Sequence, residues 1–188
     1  MMNNSEFQQL NLAKPDLKFA TDLFSLISDN REYLSVWLAW PNYVTHIKDS
    51  EYFIKNAIKE MEEGTAETYI ILFDMKPIGT VSFNKIDKQN KIGYVGYWIS
   101  EKYQGKGFVK FAVNFLLQRG FYELMLNKVV IRCAVGNNKS ESIPLKFAFK
   151  FEGIARENEL VNGIFIDHKI YSLLKNEFSQ GNSGRNEA

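Results

Sequence analysis

Chemistry is most concentrated between Gly93 and Val109, where a β-branched and aromatic run ending near Ile99 leads into a turn carrying Gly105 and Gly107 and then into an apolar helix beginning at Phe108. A strand, a turn and a helix start in that order aim several unpaired backbone N–H groups and the positive end of a helix dipole at one point. Such a point suits an anion, phosphate above all. Glycine at 105 and 107 lets the backbone approach a ligand without side-chain interference. Two better-known phosphate patterns do not fit. The dinucleotide pattern G-x-G-x-x-G has Lys110 where its third glycine belongs and is preceded by strands that read as antiparallel. The P-loop pattern G-x-x-x-x-G-K-[ST] occurs nowhere in the chain. A tight strand-to-helix turn with no ligand is the competing reading of the same residues.

The remaining reactive side chains are few. Cys133 is the single cysteine, which excludes an internal disulfide, and with His46 and His168 it makes no zinc-ligand spacing, so no metal is expected. Cys133 falls on an alternating strand, where a thiol reads as a small buried hydrophobe; covalent catalysis would need a paired base that the sequence does not show. His168 reads as a strand-surface or packing residue rather than a base, and His46 falls in a connection between helices.

The elements that must position these residues follow from periodicity. A short strand is expected near Phe7 to Leu12, then a helix with Leu17, Ala20, Leu23, Phe24 and Ile27 on one face, with Asp16 as its start signal. A second helix is expected from Glu32 to Trp40, stopped at Pro41, and a third from Asp49 to Glu63, capped by Gly64. Residues 68–73, 77–84 and 91–99 read as a three-strand antiparallel meander. After the glycine turn come a helix over 108–124, a strand over 128–135, a short helix over 141–148 and two strands over 149–157 and 164–173. The order predicts a mixed α/β sheet. At 188 residues the chain is sized for a single domain, expected over residues 7–178, and the last ten residues, with no apolar side chain larger than alanine, are expected to be a flexible C-terminal tail.

Whole-chain numbers narrow the function. A net charge of +1 gives no basic field of the kind that binds nucleic acid. The start lacks a signal-peptide pattern and the apolar runs are too short to cross a bilayer, so a soluble, cytoplasmic protein without a membrane partner is expected.

Gln104-Gly105-Lys106-Gly107 resembles the Q/R-x-x-G-x-G/A signature of the GNAT acetyltransferases. The likeness continues in Tyr33-Leu34-x-x-Trp37-Leu38-x-Trp40, in Gly96-Tyr97-Trp98-Ile99, in Asn137-x-x-Ser140-x-x-Ile143-x-x-Lys146-x-x-Phe149-x-x-Glu152-Gly153 and in Tyr171-Ser172-Leu173-Leu174, which together resemble the ribosomal-protein N-acetyltransferase branch. The resemblance implies an α/β (α+β) fold with a mixed, mostly antiparallel central sheet of about seven strands flanked by helices. It implies acetyl-CoA as co-substrate, with pantetheine along the edge of Trp98, Ile99 and Ser100 where two strands splay, and with the pyrophosphate on N–H groups of Gln104, Gly105, Lys106, Gly107, Phe108 and Val109. Lys106 would add charge at the rim, and Asn137 would bond pantetheine amides or simply cap a helix. The chain departs from the family pattern at Val109, at Lys110-Phe111 and at Ala148, where a glycine is usual.

Acetyl transfer from a thioester needs a neutral amine, a stabilised oxyanion and a proton for the leaving thiolate. An α-amino group, with a pKa of ~7.7–8.0, is neutral to about a tenth at pH 7, whereas a lysine at ~10.4 is neutral in less than about one part in a thousand. A weak base therefore suffices for a protein N-terminus. The resemblance assigns base and acid to Glu159, which precedes Asn162, and to Ser140. Outside the family reading, Glu159 is an exposed carboxylate and Ser140 a helix cap. The acceptor implied is the N-terminal α-amine of a protein, a ribosomal protein in the family's pattern, with a small amine such as a polyamine or aminoglycoside as the alternative. A catalytically inactive CoA-binding module is the third reading, and a homodimer is compatible with the family though not visible in the sequence.

Overall fold

The computed structural model describes residues 9–178. The expected tail, and Phe7 and Gln8 of the expected first strand, lie outside the described residues. Seven strands form one sheet: β1 (Leu10–Ala13), β2 (Glu67–Phe73), β3 (Lys76–Asp87), β4 (Ile92–Ile99), β5 (Lys128–Ala134), β6 (Lys150–Val161) and β7 (Ile164–Leu174), in the order β1-β2-β3-β4-β5-β7-β6. All neighbours are antiparallel except β4 and β5. The meander read from the sequence is β2-β3-β4. Its first turn uses Asp74 and Met75 at φ 50° and 61°, the doubly left-handed geometry whose twist matches that of a two-residue hairpin.

Helices cover both faces. On one face α1 (Ala20–Asp29) and α3 (Ile47–Glu63) bury Leu23 and Ile54 against Ile70 and Leu72, with Trp98 alongside. On the other, α4 (Phe108–Gln118) and α5 (Asn138–Lys146) lie over the larger core. There the i, i+4 and i+5 positions Phe108, Ala112, Val113, Leu116 and Leu117 meet Val81, Phe83 and Val95. Truncating Phe108 to alanine there would cost about 3–5 kcal/mol. Phe178 closes this core, its ring 5.2 Å from that of Phe121. His46 caps α3: its side chain accepts from the Lys48 N–H, while Asp49 accepts from the His46 N–H. Gly64 ends α3 at φ 64°, as its position in the sequence suggests.

Several boundaries differ from expectation, a strand end among them: β6, expected to stop at 157, runs to Val161 and so carries Glu159. The helix expected over 32–40 is only α2 (Arg31–Ser35), and Pro41 stands in the first turn of a 3-10 segment, Trp40–Tyr43, rather than ending a helix. The Arg31 guanidinium donates to the carbonyls of Pro41 and Val44, and Ser35 Oγ donates to Asn42 Oδ1, so side chains fold this segment back on α2. The helix expected to reach 124 is α-helical only to Gln118 and continues as a π-helical turn, Arg119–Glu123. There Gly120 presses on β3 so closely that a Cβ would lie 2.8 Å from Phe83 Cζ. The last short helix starts at Asn138, three residues earlier than expected, because Asn137 rather than Ser140 is its cap: the Asn137 side chain accepts from the Ser140 N–H. Pro144 consequently sits in the helix interior rather than in its first turn.

Candidate active site

The parallel pair is incomplete. β4 and β5 are in register only from Ile92–Lys128 to Val95–Ile131; beyond that, Gly96 to Ile99 stay on β3 while Arg132 to Ala134 stay on β7. The strands part, and a cleft opens between them. Its volume is about 2330 Å³, more than the roughly 300–1,000 Å³ of a pocket for one drug-sized ligand. Both a long cofactor and an acceptor fit.

The parting leaves one edge of β4 unpaired. The Ser100 N–H donates to the Ile78 carbonyl, and the alternation of an antiparallel ladder turns Trp98 toward β3 as well. Tyr97 and Ile99 therefore point their N–H and C=O groups into the cleft, where an amide chain can pair with them as an added strand. Of the residues expected along this edge, Trp98 and Ser100 therefore turn their backbone groups to β3; Ser100 is also buried, and its Oγ donates to Asn30 Oδ1. Trp98 reaches the cleft, its ring 5.7 Å from that of Trp40.

The glycine turn lies at the end of this edge. Gly105 and Gly107 have φ 71° and 89°, backbone that side-chain-bearing residues rarely adopt. A Cβ on Gly105 would meet no protein atom within 4 Å, so the space above it is open. Within the described residues, the N–H groups of Gly105 to Lys110 have no protein acceptor. The Gln104 N–H is different, since it donates to the Glu101 carbonyl. Its side chain instead latches the turn, donating to the Tyr33 hydroxyl and accepting from Lys139 Nζ at 2.7 Å. Lys106 Nζ lies 5.5 Å from the centre of the Tyr103 ring, and Val109 packs against the core. Unpaired donors, left-handed glycines and open space fit a diphosphate.

Farther along the cleft the expected acid and base lie on different elements. Ser140, third residue of α5, has its Oγ 3.3 Å from the Tyr97 hydroxyl and 3.5 Å from Cys133 Sγ. Pro144 explains the first contact. Having no N–H, it cannot bond the Ser140 carbonyl four residues back, and the Tyr97 hydroxyl donates to that carbonyl at 2.9 Å instead. Burial holds the Tyr97 hydroxyl well above the ordinary tyrosine range and pushes the Cys133 thiol up, so both are protonated at neutral pH. A protonated, buried thiol is a poor nucleophile.

Glu159 reaches the cleft through an irregularity in β6. Between Ala155, opposite His168, and Glu159, opposite Ile166, the register shifts. Glu157 takes φ 49° and its N–H bonds Asp167 Oδ1. Such a bulge re-aims side chains; here Asn158 and Glu159 both line the cleft. Asn162, in the turn between β6 and β7, ties this hairpin to α2 by donating to the Ser35 carbonyl and accepting from Asn42. Neither Tyr97 nor Asn162 is identifiable as a fastener from periodicity. The only signal is that each stands within a motif whose other members carry the chemistry. Among the described residues no cluster of three His, Cys, Asp or Glu side chains could hold a metal ion, and no helix is long and apolar enough to cross a membrane.

Residues 9–150 match the family described as acetyltransferase (GNAT) domain. The chain belongs to that family. It is similar to a ribosomal-protein-serine acetyltransferase of Escherichia coli (strain K12), with 30% identity over 152 residues, covering 81% of this chain and 85% of the relative. Among solved structures, it resembles the microcin C7 self-immunity acetyltransferase MccE in complex with acetyl-CoA and AMP (37% identity, TM-score 0.85, 88% and 92% of the two chains). It also resembles RimL, a ribosomal L7/L12 α-N-protein acetyltransferase, in complex with coenzyme A (28% identity, TM-score 0.86, 90% and 96%). This acetyltransferase is thus an acetyl-CoA-dependent enzyme with the seven-stranded mixed sheet of its family.

Proposed function

We propose that this acetyltransferase acetylates the N-terminal α-amine of a protein, a ribosomal protein in the first instance, by direct attack on the thioester and in the cytoplasm. The observation that carries this reading is that Ser140 and Glu159, on separate elements, line the same two-substrate cleft as the glycine turn. The N–H groups from Gly105 to Val109 would hold the diphosphate, Asn137 would lie along the pantetheine, and the inward N–H groups of β4 would face the thioester carbonyl. Glu159 takes a proton from the acceptor ammonium, directly or through one water. The freed lone pair forms the C–N bond, the C–S bond breaks, Ser140 Oγ gives its proton to the departing thiolate, and the second proton that the nitrogen sheds as the amide forms returns Ser140 to its hydroxyl form. The contact of Ser140 Oγ with the Tyr97 hydroxyl, at 3.3 Å, is long for an O–H···O bond, and its other partner is a weakly accepting thiol, so its proton is weakly committed. A second acceptor class, a small-molecule amine, is favoured by Tyr43, Tyr52 and Phe53, which present exposed rings along the cleft, and by the likeness to MccE in complex with AMP.

Two measurements test this. Glu159→Gln and Ser140→Ala are each expected to lower kcat by about 10²-fold or more with little change in acetyl-CoA affinity; full activity in both variants removes the assignment. Release of free coenzyme A is then compared across peptides with N-terminal serine or alanine, spermine and an aminoglycoside. Turnover with the peptides is expected. Turnover confined to the small amines would overturn the protein acceptor.

A further inference from the structure

His168 is buried on β7, where it faces Ala134 of β5 on one side and Ala155 of β6 on the other, and it lines the cleft. Its Nδ1 lies 3.0 Å from Asn158 Nδ2. An amide NH2 only donates, so Nδ1 accepts and the ring proton sits on Nε2. That Nε2 has no hydrogen-bond partner among the described residues, although Glu159 Oε2 lies 3.4 Å away. A buried donor left unpaired asks for an explanation, and here the nearest carboxylate is that of the proposed base. The β6 bulge is what makes the arrangement, because it turns Asn158 and Glu159, consecutive residues, toward one imidazole. The charged groups acting on the ring are Glu159, Arg132 from β5 and the adjacent Asp167; burial outweighs them and holds the imidazole below its ordinary range, hence neutral at neutral pH.

We infer that His168, oriented by Asn158, is a positioning residue for Glu159: its Nε2–H holds one carboxylate oxygen and leaves the other directed at the acceptor amine. This rests on the reading of Glu159 as the base. The Glu159 side chain is 37% exposed, so a small rotation can close the 3.4 Å gap, as catalytic hydrogen bonds do when substrate enters. The proton account leaves His168 unchanged. An N–H bond of the acceptor ammonium breaks, an O–H bond forms on the free oxygen of Glu159, and the Nε2 proton stays where it is.

The test compares His168→Leu, which keeps the volume buried without a donor, with His168→Gln, whose amide NH2 falls near the place of Nε2, each alone and with Glu159→Gln. Acetyl transfer is followed with acetyl-CoA and an N-terminal-serine peptide. His168→Leu is expected to lower kcat by about tenfold to a hundredfold with the KM for acetyl-CoA held within about twofold, and His168→Gln to recover most of the loss. In the Glu159→Gln background His168→Leu is expected to change kcat by less than about twofold, since residues that act as a unit are not additive. Three results would overturn the inference: kcat of His168→Leu within twofold of the parent, an equal loss in both backgrounds, or a His168→Gln variant as slow as His168→Leu. The last would make the imidazole itself the proton acceptor, because glutamine cannot take a proton. Full activity in Glu159→Gln alone would instead overturn the base reading beneath it.

Discussion

Ser140 does not stand by itself. Its carbonyl was released by Pro144, was taken up by a tyrosine 43 residues earlier in the chain, and shares that tyrosine with its own hydroxyl. Tyr97→Phe removes the hydroxyl that donates to a carbonyl deprived of its Pro144 partner. The expected loss is about 1–3 kcal/mol of stability together with a fall in kcat, read by thermal unfolding and by coenzyme A release. Adding Pro144→Ala restores an intrahelical N–H, so the double variant is expected to regain stability while kcat stays low. If kcat returns with stability, Tyr97 is structural and does not orient Ser140. At this scale the sequence was partly legible. Gly105, Gly107 and Asn137 announce a turn and a cap through their own types. What Tyr97, Asn162 and His168 do depends on partners from distant segments, and no local pattern carries that information.

At the level of elements, the end of α5 shows how a departure from a family pattern becomes a strain. Phe149 N–H bonds the Pro144 carbonyl and Ala148 N–H bonds the Leu145 carbonyl, the paired bonds that close a helix through a left-handed residue. That residue is Ala148, at φ 57°, where a Cβ costs roughly 1–2 kcal/mol. Ala148→Gly relieves the strain and gives back part of the gain as added freedom of the unfolded chain. A net stabilisation of about 0.5–1 kcal/mol is expected in denaturant unfolding, and a destabilised variant would show that the methyl group packs usefully. The periodicity that placed each helix and strand gave their kinds correctly and several of their ends incorrectly. α2 stops early because Arg31 binds carbonyls beyond it. The long helix loosens into a π turn because of Gly120, and the β6 bulge has no period at all. Each is a tertiary contact overriding a local preference.

Across the whole molecule, the parting of β4 and β5 that makes the cleft also divides the sheet's fastenings. Four residue pairs join these strands, and on the far side ion pairs fasten β5 to β6 (Lys128 with Glu152), β6 to the helical turn after β7 (Lys150 with Glu177) and β7 to α5 (Lys169 with Glu141). Each glutamate is held below its ordinary range, first by the hydrogen bond from its lysine, and Glu141 in turn helps burial to push the Tyr171 hydroxyl up to about 12. A depressed carboxylate pKa gives stability that is present above the unfolded value of about 4.3 and is lost as pH falls through the folded value. His168 acts at higher pH. Its folded pKa lies below the unfolded value of about 6.5, so between the two the unfolded chain binds more protons and stability declines as pH drops. Thermal midpoints measured from pH 8 to pH 3 are therefore expected to fall gently below about 6.5 and steeply below about 4.3. His168→Leu should flatten only the upper slope. Glu141→Gln should lower the midpoint at pH 7 and converge on the parent at pH 3, where both chains have lost the Lys169 pair. Curves that run parallel over the whole range would show that neither group is linked to folding, and that the far half of the sheet is held by its core alone.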